Sequence, residues 1–237
     1  GVHRINEFLG LEEKEEVTGR QEALKQSQAA VREEDAEHAE IIAEFQHVTF
    51  GYREQDILQD FSFQIRKGEQ ITLAGRTGAG KSTIFKLLLG LYEPKKGSVL
   101  INGRRAGTVE EKEKRKLFGY VEQTFHQVPG TVRDQITLFD PAITPEMAEE
   151  AARLAGLHET VMALEKGYDM PCMEGIFSEG QWQLLSIARA VAARPKILLL
   201  DEITANLDAR TEKEVLRALQ RAADGRTVIS ISHRINA

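Results

Sequence analysis

At 237 residues with 41% hydrophobic content, the chain is long enough to bury a real core as one large domain or two small ones. A formal charge of −6 and 6% aromatic residues argue against a general nucleic-acid binder, which needs a basic face and stacking platforms. Cys172 is the single cysteine, so no internal disulfide is possible, and the best apolar run, Leu184 to Leu200, is broken by Arg189, Arg194, Pro195 and Lys196 before it could span a bilayer.

Residues 11 to 44 cluster Glu and Lys with few large apolar side chains and no proline, which reads as a solvated helix or a partly ordered linker. We therefore set residues 1–43 apart as a charged segment and begin the globular domain, 44–237, at Glu44. Phe45, Val48, Phe50 and then Ile57, Leu58, Phe61, Phe63 and Ile65 form short, partly alternating runs that predict antiparallel strands. The apolar run Ile71 to Ala74 enters Gly75, Arg76, Thr77, Gly78, Ala79, Gly80, Lys81, Ser82 and Thr83, and Ile84 to Leu89 follows. This stretch fits G-x-x-x-x-G-K-[ST] between a strand and a helix, the context in which glycines let backbone N–H groups curl around a triphosphate. Lys81 would reach the β- and γ-phosphates and the Ser82 hydroxyl would ligate magnesium. The bland alternative is a glycine-rich turn with an incidental lysine.

Further along, Gly97 to Gly103 reads as a strand closed by an Asn-Gly turn, and Leu117 to Val121 as another strand. Pro145 to about Leu164 and Gln181 to Ala193 read as alanine-rich helices. Ile197 to Leu200 and Thr227 to Ile231, separated by a helix around Thr211 to Arg221, suit strands of a parallel sheet buried on both faces. Asp201 and Glu202 close the first of these, where Asp201 can hold the magnesium shell and Glu202 can orient and activate water. Ser178, Glu179 and Gly180 open a helix, offering a hydroxyl, a close backbone approach and a dipole end, hence a second anion site. One nucleotide and two anion sites imply that the second serves another copy's nucleotide.

Together these features resemble the nucleotide-binding domain of ABC transporters, over about Glu44 to the C-terminus. Gly75 to Thr83 is similar to its Walker A loop, Ile197 to Glu202 to Walker B with the catalytic glutamate, and Phe177 to Gln181 to the L-S-G-G-Q signature. The resemblance places Gln123 as the Q-loop glutamine touching magnesium and the attacking water, and Tyr52 as the aromatic that stacks on adenine. It places Thr204 to Asp208 as the D-loop and His233 as the switch histidine. Singly, Gln123 is also a polar loop residue, Tyr52 a strand aromatic and His233 a satisfied strand-end histidine. Arg4 to Leu9 is similar to the segment leaving the last transmembrane helix of exporters, and Gly130 to Ile136 also looks like that branch.

The resemblance implies an α/β P-loop NTPase (RecA-like) core, an antiparallel β subdomain and a helical signature subdomain near residues 124–185. It implies ATP and Mg2+ as ligands, a second ATPase domain paired head to tail, a transmembrane domain as partner and a place on the cytoplasmic face of the membrane. A soluble ABC ATPase, the less active half of a heterodimer and a small-molecule kinase are the rival readings. Glu179 replaces a signature glycine, Trp182 stands where the family commonly has a basic residue, and the loop Pro171 to Ile176 departs from the exporter pattern. If Glu179 faces the opposing γ-phosphate it repels it; if it points away, the contacts of Ser178, Gly180 and Gln181 survive, and survival is the expectation. The start at Gly1 and the four residues after His233 lead us to expect a piece of a longer protein, truncated at its C-terminus.

Overall fold

The computed structural model describes residues 40–74, 79–122, 124–201 and 207–232. They divide into two compact units, one ending at Glu110 and one over Glu111–Ile231. In the first, β1 (Ile41–Tyr52) and β2 (Gln55–Arg66) form an antiparallel hairpin. β4 (Lys96–Ile101) pairs with the other edge of β1, and β5 (Arg104–Arg105) closes a sheet of order β2-β1-β4-β5. β3 (Gln70–Ala74) precedes α1 (Ala79–Leu88). The charged segment expected through residue 43 gives way to sheet earlier, at Ile41. Two β-branched residues start the strand, and Ile42 and Ala43 are buried.

The hairpin core is the expected set: Phe45, Val48, Leu58, Phe61 and Ile65 are buried, with Phe85, Leu87 and Leu88 of α1 also buried in this unit. The register of β1 shifts after Phe45, next to His47 at φ 46°. There Gly97, at φ 77°, passes so close to the Gln46 and His47 carbonyls that a Cβ would overlap both. Only glycine allows β4 to pair at that point. Asn102 and Gly103, both at positive φ, make the tight turn from β4 to β5.

In the second unit, β6 (Phe118–Val121), β7 (Ile197–Leu200) and β8 (Thr227–Ser232) run parallel with β7 in the middle, Phe118 opposite Ile197 and Ile197 opposite Thr227. Ile197, Leu198 and Leu199 are all fully buried, as an uninterrupted apolar strand requires. α2 (Glu111–Leu117) leads into β6. Between β6 and β7 the chain is helical: α3 (Val132–Thr137), α4 (Pro145–Ala155), α5 (His158–Met162) and α6 (Glu179–Val191). The run expected from Pro145 to Leu164 is two helices, because Gly156 at φ 77° ends α4. α6 packs on β6 and against α3, α4 and α7 (Ala209–Ala223). Ala148, Ala151, Ala152 and Ala155 let α4 approach closely. No helix among the described residues is long and apolar enough to cross a membrane.

Candidate functional site

In the first unit, β3 delivers the chain to the glycine-rich segment and α1 carries it away. Gly75, Arg76, Thr77 and Gly78 lie outside the described residues; the backbone of Ala79, Gly80 and Lys81 forms the first turn of α1. The N–H groups of a first turn have no partner within their helix, and the dipole makes that end an anion site. Ser82 is half-buried and Thr83 fully buried, its Oγ1 3.5 Å from the Tyr52 hydroxyl. Tyr52 ends β1 and remains 42% exposed, held edge-on by Phe50 at 5.4 Å and Tyr92 at 5.6 Å between ring centroids. Phe50 and Tyr92 stack on each other at 5.4 Å. Tyr52 is thus a braced ring with an open side, suited to a planar ligand. Tyr92 was not legible as part of this cluster, because nothing in its spacing from Tyr52 signals that the strand and the end of α1 meet.

In the second unit, Asp201 follows β7, where its N–H donates to the Val121 carbonyl at 3.0 Å. The Tyr120 hydroxyl donates to Asp201 Oδ2 at 3.5 Å. Burial, and then the charges of Asp201 and Glu122, push the Tyr120 hydroxyl well above its ordinary range, so it stays a neutral donor. Gln123, Glu202 and His233, with Thr204 to Asn206 of the D-loop stretch, lie outside the described residues.

Ser178 caps α6: its Oγ accepts from Gln181 N at 3.3 Å while Gln181 Oε1 accepts from Ser178 N at 2.9 Å, a complete capping box. As an acceptor, the Ser178 oxygen keeps its own hydrogen for an anion. Gly180 is buried, and a Cβ there would overlap Thr211 Cγ2 on α7. Asp208 caps α7, accepting from Thr211 N at 3.0 Å and Thr211 Oγ1 at 2.7 Å. Glu179, Trp182, Gln183 and Ser186 line one cleft, positions i, i+3, i+4 and i+7 of a single helix face. Gly180 faces Thr211 of α7 instead, so Glu179 and Gly180 lie on different faces of α6.

A further cluster holds the segment after Gln123. Gln135 is fully buried: its Nε2 donates to the Val128 and Thr131 carbonyls (2.7 and 3.2 Å) and its Oε1 accepts from Val128 N at 2.9 Å. Arg189 donates to the Gln135 carbonyl at 2.6 Å and the His126 carbonyl at 2.8 Å, and lies 4.0 Å over the Phe125 ring. Phe125 meets Trp182 at 5.3 Å and Trp182 meets Phe177 at 5.1 Å, a chain of rings from this segment to the head of α6. The arginine interrupting the apolar run of α6 was the available signal for this network.

A family model described as ABC transporter matches residues 58–205. The chain is 41% identical over 197 residues to the ABC transporter ATP-binding protein YfiC of Bacillus subtilis (strain 168), covering 81% of this chain and 32% of that protein. It is 39% identical over 197 residues to the alpha-hemolysin translocation ATP-binding protein HlyB of Escherichia coli O157:H7, covering 81% of this chain and 28% of that one. Among solved structures, a bacterial Atm1-family ABC exporter with ATP bound matches at a TM-score of 0.72 and 35% identity, over 82% of this chain and 35% of the exporter chain. The chain spans about a third of the length of these relatives.

Proposed function

This chain belongs to the ABC transporter family, as an ATP-binding and ATP-hydrolysing domain, and from that premise we propose that it powers transmembrane export by closing head to tail with a second ATPase domain around ATP. In this reading the backbone of Gly75 to Thr83 and the Lys81 ammonium cradle the phosphates, and Tyr52 carries the adenine. Ser82, Gln123 and Asp201 would hold Mg2+, which would supply charge neutralisation at the triphosphate. Glu202 draws a proton from the attacking water, Gln123 orients it, and His233 stabilises charge on the γ-phosphoryl group as it passes from ADP, the leaving group, to the water oxygen. Ser178, Gly180, Gln181 and Asp208 meet the nucleotide of the opposing copy. Glu179, on the other face of α6, leaves that contact intact.

The succession of β3 and α1 about the glycine-rich segment supports this reading best: the N-terminal half of α1 lies beside a braced, open tyrosine, whose hydroxyl is 3.5 Å from Thr83 Oγ1. The relatives supply the rest of the proposal, a transmembrane domain as partner and a place on the cytoplasmic face of a membrane. The test is light scattering on Glu202→Gln with and without Mg-ATP. Trapped ATP should double the mass. A monomer that binds ATP yet never pairs would reject the head-to-tail reading.

A further inference from the structure

The tip of the β1–β2 hairpin is held from outside itself. Tyr52, the last residue of β1, pairs with Gln55 across a turn made by Arg53 and Glu54. Arg53 sits at φ 58°, a left-handed backbone that side chains other than those of Asn and Asp rarely adopt. Such a turn gains little from its own residue types, and Tyr52 at its edge is exposed. A tyrosine in that position would ordinarily sample several rotamers.

The segment that follows α1 supplies the missing constraints. The Lys95 N–H donates to the Thr49 carbonyl at 2.8 Å. Lys95 Nζ donates to the Arg53 carbonyl at 3.0 Å and to Asp56 Oδ1 at 2.8 Å. One lysine therefore grips the hairpin on both sides of Tyr52. Three residues earlier in the chain, the Tyr92 ring meets Tyr52 edge-on, stacks on Phe50 and lies beneath Lys86 Nζ at 5.4 Å. Thr83, which the Tyr52 hydroxyl approaches, and Lys86 are three residues apart on α1. Both tyrosines thus meet one face of the helix that leaves the glycine-rich segment.

We propose that Tyr92 and Lys95 are positioning residues for nucleotide binding: they hold the Tyr52 ring in the orientation that receives the base, and act through Tyr52 instead of through contact with the nucleotide. This rests on the reading that Tyr52 carries the adenine. A ring already ordered loses no rotamer freedom when the base arrives, so the brace raises affinity without adding a contact.

The test compares calorimetric affinities for Mg-ATP and for magnesium tripolyphosphate, which has the phosphates without the base. Tyr92→Leu should weaken Mg-ATP about three- to tenfold, the worth of a lost aromatic pair, and leave tripolyphosphate within about twofold. Tyr92→Phe should restore the affinity, because the ring and not the hydroxyl makes these contacts. Lys95→Met, at an exposed position, should weaken Mg-ATP about two- to fivefold with the same selectivity. In turnover, Tyr92→Leu and Lys95→Met should raise KM for ATP and leave kcat within about twofold. In a Tyr52→Ala background, Tyr92→Leu should add nothing. If Tyr52→Ala keeps the full preference for Mg-ATP over tripolyphosphate, the base reading is rejected and this proposal with it. If Tyr52→Ala loses that preference while Tyr92→Leu or Lys95→Met keeps it, the proposal alone falls. It falls alone, too, if Tyr92→Leu weakens both ligands alike or weakens Mg-ATP further in the Tyr52→Ala background.

Discussion

Gly180 has no room for a side chain: a Cβ would overlap Thr211 Cγ2, so the glycine is required by the approach of α6 to α7 whatever else its backbone touches. Gly180→Ala should destabilise the chain by roughly 1–3 kcal/mol, the usual cost of overpacking. Thr211→Ser, which removes the offending methyl and keeps the hydroxyl, should restore most of it; urea midpoints of the single and double variants check this. Asp208 makes a second prediction. Its carboxyl lies below the ordinary value of 3.8 because the Thr211 hydroxyl, and then the Thr211 N–H, donate to it. A folded-state pKa below the unfolded one adds stability above the unfolded value and loses it as pH falls through the folded value. Asp208→Asn keeps an accepting oxygen that does not titrate. Wild type should therefore lose urea resistance relative to Asp208→Asn between neutral pH and the acid side of the carboxylate range, and a gap that widens in wild type's favour on acidification would refute the assignment. The helix-start chemistry of Ser178 was readable from its residue type. The Gly180–Thr211 contact was not, because a separation of 31 positions in sequence hides which helix faces which.

At the scale of elements, α6 joins most of the second unit, and Arg189 is the residue through which it holds the stretch 125–135. Burial lowers the Arg189 guanidinium to about 10, with Glu122 pulling it back up, so keeping it charged costs free energy that its carbonyl partners offset. Arg189→Met retains the packed stem and removes the donors. It should lower stability by roughly 1–3 kcal/mol and speed hydrogen exchange of the Phe125 to Val128 amides well beyond the global effect. Uniform acceleration across the unit would mean that Arg189 does not act locally. Strand and helix types were legible in hydrophobic period alone: the buried run Ile197 to Leu200 and the alanine face of α4 read correctly. Ends were less so. Gly156 divides one expected helix into two, and β1 starts at Ile41, inside a stretch whose charge reads as linker.

At the scale of the whole molecule, the head-to-tail pairing proposed above would make hydrolysis second order in chain. Specific ATPase activity should rise with protein concentration in the dilute range, and a rate strictly proportional to concentration would mean that a single copy suffices. Under the same proposal, fusion to a transmembrane domain should flatten that dependence by raising effective concentration. The sequence by itself determined the class of chemistry: a glycine-rich loop between strand and helix, acids closing an apolar strand and a serine opening a helix are local patterns, set within a few residues by backbone sterics and periodicity. Tertiary structure alone decided that Tyr52 is braced by Phe50 and Tyr92, that Gly180 yields to Thr211, and that Glu179 shares a cleft with Trp182 and Gln183. Those facts depend on which faces of distant segments meet. That is settled by packing over the whole core, where no short stretch carries the information.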